Sequence, residues 1–330
     1  MVNHSKIFKK MKIHYSIDSI KTSSLYNLEQ DSNNKGVIVT IGIFDGVHTG
    51  HVALLNRTIE LSKLFQKESV VLTFSPHPRV ALNQEPEKLK ILTSQNEKIK
   101  LLTRLNIDNI LILPFTHEIA DLTAEKFIEY ILVNKLNISH LVVGYNHRFG
   151  NGGITFNELE KLSQKFNFQL EKFPAVDINK QIPSSSQIRD LLIKGDIKSA
   201  NKLLGYNYII EGKVVEGKKI GRTISFPTAN ILVSEQLKLI PPNGVYACYV
   251  NVRGNIYKGM TNIGHLPTIN KNNPYRSIEV HILDFNKNIY NEDIEIHLVE
   301  KIRDEIKFPN IEELKKQIIK DINNLPPVLS

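Results

Sequence analysis

Over roughly its first two hundred residues the chain alternates apolar runs with polar, helix-period stretches. It then changes to short segments of period-2 alternation. Apolar runs at Val37–Phe44, Ser69–Phe74, Asn109–Leu113, His140–Gly144 and Phe168–Phe173 read as strands, and a further strand opens at Met11. Patterns near 51–66, 95–105, 123–135 and 156–166 read as helices, and Ser94-Gln-Asn-Glu97 supplies a capping box for one of them. Strands separated by helices predict βαβ units and a parallel sheet, whose ligands lie at the carboxyl ends of the strands. On this reading His48 and His51, Ser75 to Arg79, and Tyr145 to Gly150 gather along one edge of the sheet.

A helix from Ser185 to Ile193 and a short second one to Leu204 lead to Gly205, where a domain junction is expected. The expected domains are therefore 1–204, α/β and Rossmann-like, and 205–330. Beyond Tyr208, strands at Tyr208–Glu216, Gly244–Val252, Asn255–Ile263, Ser277–Asp284 and Asp293–Glu300 predict a closed antiparallel barrel. An amphipathic helix, Ile311 to Ile322, follows it.

Composition narrows the function classes. A chain of 330 residues is long enough for two cores. Its single cysteine, Cys248, excludes an internal disulfide and a multi-cysteine zinc site, and fits a reducing cytoplasm. No run approaches the roughly 20 apolar residues of a membrane helix. Met1–Lys12 is basic without the apolar core of a signal peptide, so residues 1–10 read as an extension. The net charge of +8 raises nucleic-acid binding as a rival class. Scattered lysines, the absence of tryptophan and the lack of a basic-aromatic stripe favour instead a solvated surface that attracts phosphorylated small molecules.

Two segments carry candidate chemistry. In the first, His48 and His51, with Gly46 and Gly50 beside them, follow a buried strand and precede a helix. Glycines allow backbone N–H groups to approach phosphate, and the helix start presents its positive end. Imidazoles there would stabilise charge on a triphosphate during nucleotidyl transfer. The same two histidines are also compatible with an ordinary turn or a metal pair. Ser184, Ser185, Ser186 and Arg189 would add donors and one guanidinium, or simply cap a helix. Pro76 and Pro78 mark a rigid turn or a substrate contact. In the second segment, Gly217, Gly221 and Arg222 form a basic loop, and Thr228 and Asn230 offer hard oxygens suited to Mg²⁺ with ATP phosphates. Glu279 shares a strand face with Ser277 and His281, where it is either a solvated residue or a general base.

In order along the chain, Gly42-x-Phe-Asp-Gly-Val-His-x-Gly-His51, Thr73-Phe-x-Pro-His-Pro-Arg79, Val143-Gly-Tyr-Asn-His-Arg-Phe-Gly150 and Ser184-Ser-Ser-x-Ile-Arg189 resemble the FMN adenylyltransferase half of bacterial bifunctional riboflavin kinase/FMN adenylyltransferases, or FAD synthetases. Gly221-Arg-x-x-x-Phe-Pro-Thr-Ala-Asn230, Gly244-Val-Tyr246, Asn262-Ile-Gly-x-x-Pro-Thr268, Glu279 with Asp284-Phe285, and Ile302-Arg303 resemble its riboflavin kinase half. The resemblance covers essentially the whole chain from Lys12. It implies phosphorylation of riboflavin to FMN with ATP, then adenylylation of FMN to FAD with release of pyrophosphate. It also implies Mg²⁺ at both sites, Glu279 as base, Thr228 and Asn230 at metal and nucleotide, and flavin contacts from Asn146, Pro76, Pro78 and Arg303. A cytoplasmic monomer or weak homo-oligomer, with no nucleic-acid or membrane partner, is expected. Departures from the family pattern are His147, Gln187, Ser225 (for a usual glycine) and Asn291 (where glycine is common). A nucleotidyltransferase of other acceptor specificity with a merely ligand-binding barrel is the nearer rival.

Overall fold

The computed structural model describes residues 11–20, 36–83, 89–147, 153–177, 181–217, 221, 225–265 and 276–327. Its contacts group the chain into two compact units, Met1–Leu89 with Lys98–Ile182, and Lys90–Glu97 with Pro183–Ser330.

In the first unit, β1 (Lys12–His14), β2 (Val37–Ile41), β3 (Ser69–Ser75), β4 (Asn109–Pro114), β5 (Ile138–Gly144) and β6 (Gln169–Phe173) form one sheet. The order is β1-β4-β3-β2-β5-β6 and every pairing is parallel. Successive residues Val37, Ile38 and Val39 are all buried, as are Val70, Val71 and Leu72. Burial on both faces explains why these strands read as continuous apolar runs and not as alternation. The chain moves outward from β2 to β3 and β4 on one side and through β5 to β6 on the other. This leaves a topological switch point beside the carboxyl end of β2, the usual ligand crevice of such sheets.

The helices are α1 (Thr49–Leu64), α2 (Pro78–Ala81), α3 (Gln95–Thr103), α4 (His117–Ala120), α5 (Ala124–Phe127) and α6 (Phe156–Lys165). The single helix expected over 123–135 is α5 running on into a π-helical stretch, Ile128–Val133, which buries Ile128, Ile131 and Leu132. The apolar run read as a strand to Phe44 stops pairing at Ile41. Phe44 (φ 51°) and Val47 (φ 37°) take left-handed backbone, which a strand cannot continue through. The Phe44 ring folds back over Gly42, where a Cβ would meet it at 2.9 Å.

The second unit holds α7 (Ser185–Lys194) and α8 (Ile197–Leu204), then β7 (Tyr208–Val215), β8 (Ala229–Leu232), β9 (Gly244–Val252), β10 (Asn255–His265), β11 (Arg276–Ile282), β12 (Asp293–Arg303) and α9 (Ile311–Asn323). The strands close an antiparallel barrel in the order β10-β11-β8-β7-β12-β9. Five of them are legible in the sequence. The sixth, β8, is four residues long with only Ile231 buried, too short for a period-2 signal. Ile188, Leu192, Ile197 and Leu204 from α7 and α8 pack into the same core as Tyr208, Tyr246, Val250 and Leu298. Gly195 and Gly205, both near φ 80°, end the two helices in the left-handed conformation that glycine adopts without steric cost.

Residues 90–97 join this unit through a buried ion pair. Lys238 Nζ lies 2.5 Å from Glu97 Oε2, with side-chain exposures of 1% and 2%. The ammonium also donates to Leu92 O and sits over the Tyr208 ring. Glu97 accepts from the backbone N–H of Glu211 and, in the predicted capping box, from that of Ser94. Removing one partner of such a pair leaves a buried charge, at a cost of about 3–5 kcal/mol. Ile91 pairs in parallel with Lys238 beside it.

Candidate active sites

The first site is built on the turn between β2 and α1. Gly46 has φ 82°, which keeps this turn open only to glycine at low cost. Asp45 and His48 are buried, at 6% and 5% exposure. His48 is the N-cap of α1, its Nδ1 accepting from the His51 backbone N–H at 3.3 Å. That bond leaves the His48 proton on Nε2, so the ring retains one outward donor. The two imidazoles stack at 3.6 Å and 17°, and Phe44 packs edge-on against His51 at 5.3 Å. The Nδ1 atom of His51 is enclosed without a hydrogen-bond partner. Burial pushes the His48 pKa down to about 4, with Asp45 partly offsetting it. Burial, then His48 and Lys98, hold His51 well below the usual imidazole range. Both rings are therefore neutral at neutral pH, which a stack this close requires. With the first-turn N–H groups of α1 beside them, they form an anion-receptive surface.

Because the folded pKa of His48 lies below that of the unfolded chain, the unfolded state binds the extra proton between about pH 4 and 6.5. Stability is therefore full above pH 6.5 and falls as pH drops through the folded value, by roughly 3 kcal/mol for a shift of this size. His48→Asn keeps a capping acceptor but does not titrate. Thermal unfolding against pH is expected to show a shallower acid loss in that variant than in the wild type.

The neighbouring strands bring the other predicted segments to the same sheet edge. Ser75 ends β3, and Pro78 opens α2, whose N-cap His77 accepts from Arg79 N. Pro76 is exposed. Gly144 ends β5 and is followed by a turn in which His147 N donates to Gly144 O, with Asn146 exposed beside it. Burial and the Lys172 charge lower the His147 pKa. Arg148 to Gly150 lie outside the described residues. Ser184 caps α7 by accepting from Gln187 N at 3.2 Å, with Ser185 and Ser186 in the first turn. Arg189 donates from Nε to Lys90 O at 2.6 Å. This helix belongs to the second unit. Sequence reasoning missed Lys98, which reads as one more lysine on a polar helix.

The second site lies on the barrel. Ile278, Val280 and Ile282 point into the core, which places Glu279 on the other face of β11, as the alternation predicts. Glu279 is paired in register with Asn230 of β8, and Thr228 Oγ1 donates to its Oε2 at 3.1 Å. His281, two residues on, is bonded through Nδ1 to Pro227 O at 2.8 Å. A Cβ at Gly217 would fall 2.0 Å from Asn230 Nδ2 and displace that side chain, whereas one at Gly221 would fall 2.3 Å from the backbone oxygen of Phe226, which leaves room for glycine alone. Arg222, with Lys218 and Lys219, lies outside the described residues, as do Pro267 and Thr268. Ser225 (φ 68°) and Asn291 (φ 64°) both hold left-handed backbone, which explains why glycine suits these positions and why Ser225 strains its loop more than asparagine would.

Beside Thr228 opens a cavity of about 550 Å³ whose lining includes Val214, Pro227, Phe285, Ile289 and Tyr290. Residues 286–289, which also line it, belong to none of the motifs read in the sequence. Arg303 is engaged by the buried Asp321 of α9, Nη2 to Oδ2 at 2.8 Å and Nε to both oxygens, and donates from Nη1 to Asp304 O. Among the described residues no cluster of three or more His, Cys, Asp or Glu is arranged to hold a metal, and no helix is long and apolar enough to cross a membrane.

Comparison with known proteins places both regions of the chain in known families. Residues 30–187 match the FAD synthetase family model and residues 204–329 the riboflavin kinase model. The chain is 38% identical over 302 residues to the bifunctional riboflavin kinase/FMN adenylyltransferase of Buchnera aphidicola from Acyrthosiphon pisum, covering 90% of this chain and 94% of that one. It is 36% identical to that of Escherichia coli K12, with the same coverage. A solved structure described as the macrolide-efflux protein from Streptococcus pneumoniae superposes with a TM-score of 0.80 at 29% identity, over 90% of this chain and 96% of the other. The family models and the curated relatives agree on flavin enzymes.

Proposed function

The chain belongs to the family of bifunctional riboflavin kinase/FMN adenylyltransferases, and on that premise we propose which of its residues perform each step. Residues 205–330 carry the kinase. There Glu279 accepts the proton of the riboflavin 5′-hydroxyl as its oxygen attacks the γ-phosphorus of ATP, and ADP leaves. The cavity beside Thr228 receives the nucleotide, Gly217, Gly221 and Arg222 border its phosphates, and Arg303 serves the flavin side by holding α9. The observation that carries this reading is Glu279 opposite Asn230 with Thr228 hydrogen-bonded to its carboxylate.

Residues 1–204 carry adenylyl transfer. An FMN phosphate oxygen attacks the α-phosphorus of ATP and pyrophosphate leaves. The nucleophile is already anionic, so the site needs charge stabilisation in place of a strong base. His48 offers its Nε2 proton and His51 lies against it. Gly42, Phe44, Asp45, Gly46 and Gly50 shape the turn that brings backbone N–H groups to the phosphates. Ser184, Ser185, Ser186 and Arg189 complete the phosphate contacts, and Asn146, Pro76 and Pro78 border the flavin.

The oxygens of Thr228 and Asn230, beside a carboxylate and a glycine cradle, fit Mg²⁺. With so few protein ligands, phosphates and water would fill the rest of its shell, as this ion prefers. When bound, it would neutralise charge on the ATP phosphates. We further place the protein in the cytoplasm, as a monomer or weak homo-oligomer. The deciding experiment is incubation with riboflavin, ATP and Mg²⁺ followed by chromatographic separation of flavins. FMN and then FAD are expected, and riboflavin left unchanged would refute the assignment.

A further inference from the structure

Lys98 projects from α3 into the first unit and is buried, at 7% exposure. Its Nζ donates to Ile43 O at 3.2 Å, to Thr73 Oγ1 at 3.2 Å and to Phe74 O at 3.4 Å. All three acceptors are neutral, and among the described residues no carboxylate forms an ion pair with it. Asp45 is near enough to favour its charged form, yet burial outweighs that and brings its pKa down to about 8. A buried ammonium satisfied only by neutral oxygens is costly, so the position calls for a compensating purpose.

Its acceptors indicate one. Ile43 lies at the exit of β2, immediately before the left-handed Phe44, while Thr73 and Phe74 lie near the end of β3. Thr73 Oγ1 itself donates to Ile43 O at 3.1 Å, so the ammonium closes a ring of bonds across two adjacent strand ends. Phe44 in turn packs on His51. We propose that Lys98 is a positioning residue for adenylyl transfer: it locks the β2–α1 turn, and through Phe44 the His48–His51 stack, while placing a buried positive charge beside the phosphate site. This rests on reading that stack as the adenylyl-transfer site. With its three protons already engaged, Lys98 acts through the turn and through its field, without touching substrate.

The groups that titrate around it are Asp45 and His48 from the turn and His51 from α1. From β3 it meets only Thr73 and a carbonyl. In the full-length enzyme, Lys98→Met is expected to lower kcat for FAD formation from FMN and ATP by 10- to 100-fold, with KM for FMN little changed and riboflavin phosphorylation intact. Removing the ammonium should also raise the His51 titration midpoint, read by NMR of labelled imidazoles. Lys98→Arg, which keeps the charge, should leave that midpoint low and recover part of the rate. Wild-type FAD formation should show an alkaline limb near pH 8 that moves upward in Lys98→Arg. Full FAD synthesis by Lys98→Met, or a lost rate with an unmoved His51 midpoint, would overturn the proposal. Should Lys98→Met fail to fold, a wild-type profile flat from about pH 7 to 9.5 would overturn it equally. Absence of FAD formation by the wild type would instead refute the assignment of the site.

Discussion

Glu279→Gln is expected to lower FMN formation from riboflavin by about 10²- to 10⁴-fold, the range a positioned general base contributes, while FMN supplied to the same variant is still converted to FAD. Glutamine keeps the shape of the side chain and an acceptor for the Thr228 hydroxyl, so the β8–β11 pairing that holds Asn230 opposite residue 279 should survive. What is lost is the ability to take the proton of the attacking alcohol. Glu279→Ala should show the same division between the two activities. Both are read by separating riboflavin, FMN and FAD after incubation with ATP and Mg²⁺. Wild-type FMN formation by the glutamine variant would remove Glu279 from the role of base.

His51→Ala should do the reverse, lowering FAD formation by about 10²-fold, the cost of losing one preorganised group that stabilises transition-state charge, with riboflavin phosphorylation unchanged. The substitution removes the partner on which His48 stacks and the ring that Phe44 packs against. It leaves the cap of α1 in place, because that bond uses the backbone N–H of residue 51. Stopped assays with FMN and with riboflavin on one preparation separate the effects. Loss of both activities in a folded protein, from either substitution, would contradict separate sites.

Much of this was readable beforehand. The parallel strands announced themselves because burial on both faces demands unbroken apolar runs, and the barrel strands because one buried face demands alternation. Glu279 could be placed on its face from Ile278, Val280 and Ile282 alone. Other features left no local trace. Four-residue β8, the strand that faces Glu279, is too short to alternate. Lys98 reads like any helical lysine, since nothing near it in sequence tells that its ammonium reaches Ile43 and Phe74. Asp321, which engages Arg303, is likewise one acid among many on an amphipathic helix.

The sequence by itself thus determined most of the element types, the order of the two architectures, the residue types at both sites and, through ordered motifs, the family. These depend on periodicity and on short-range spacing, which are properties of the linear chain. Only the tertiary structure decided the protonation of the His48–His51 stack, the tautomer of His48, the left-handed backbone that makes Ser225 and Asn291 meaningful departures, and the buried charge of Lys98. Each depends on what distant segments place around a group, and desolvation and hydrogen bonding act through that surrounding and not through the sequence order.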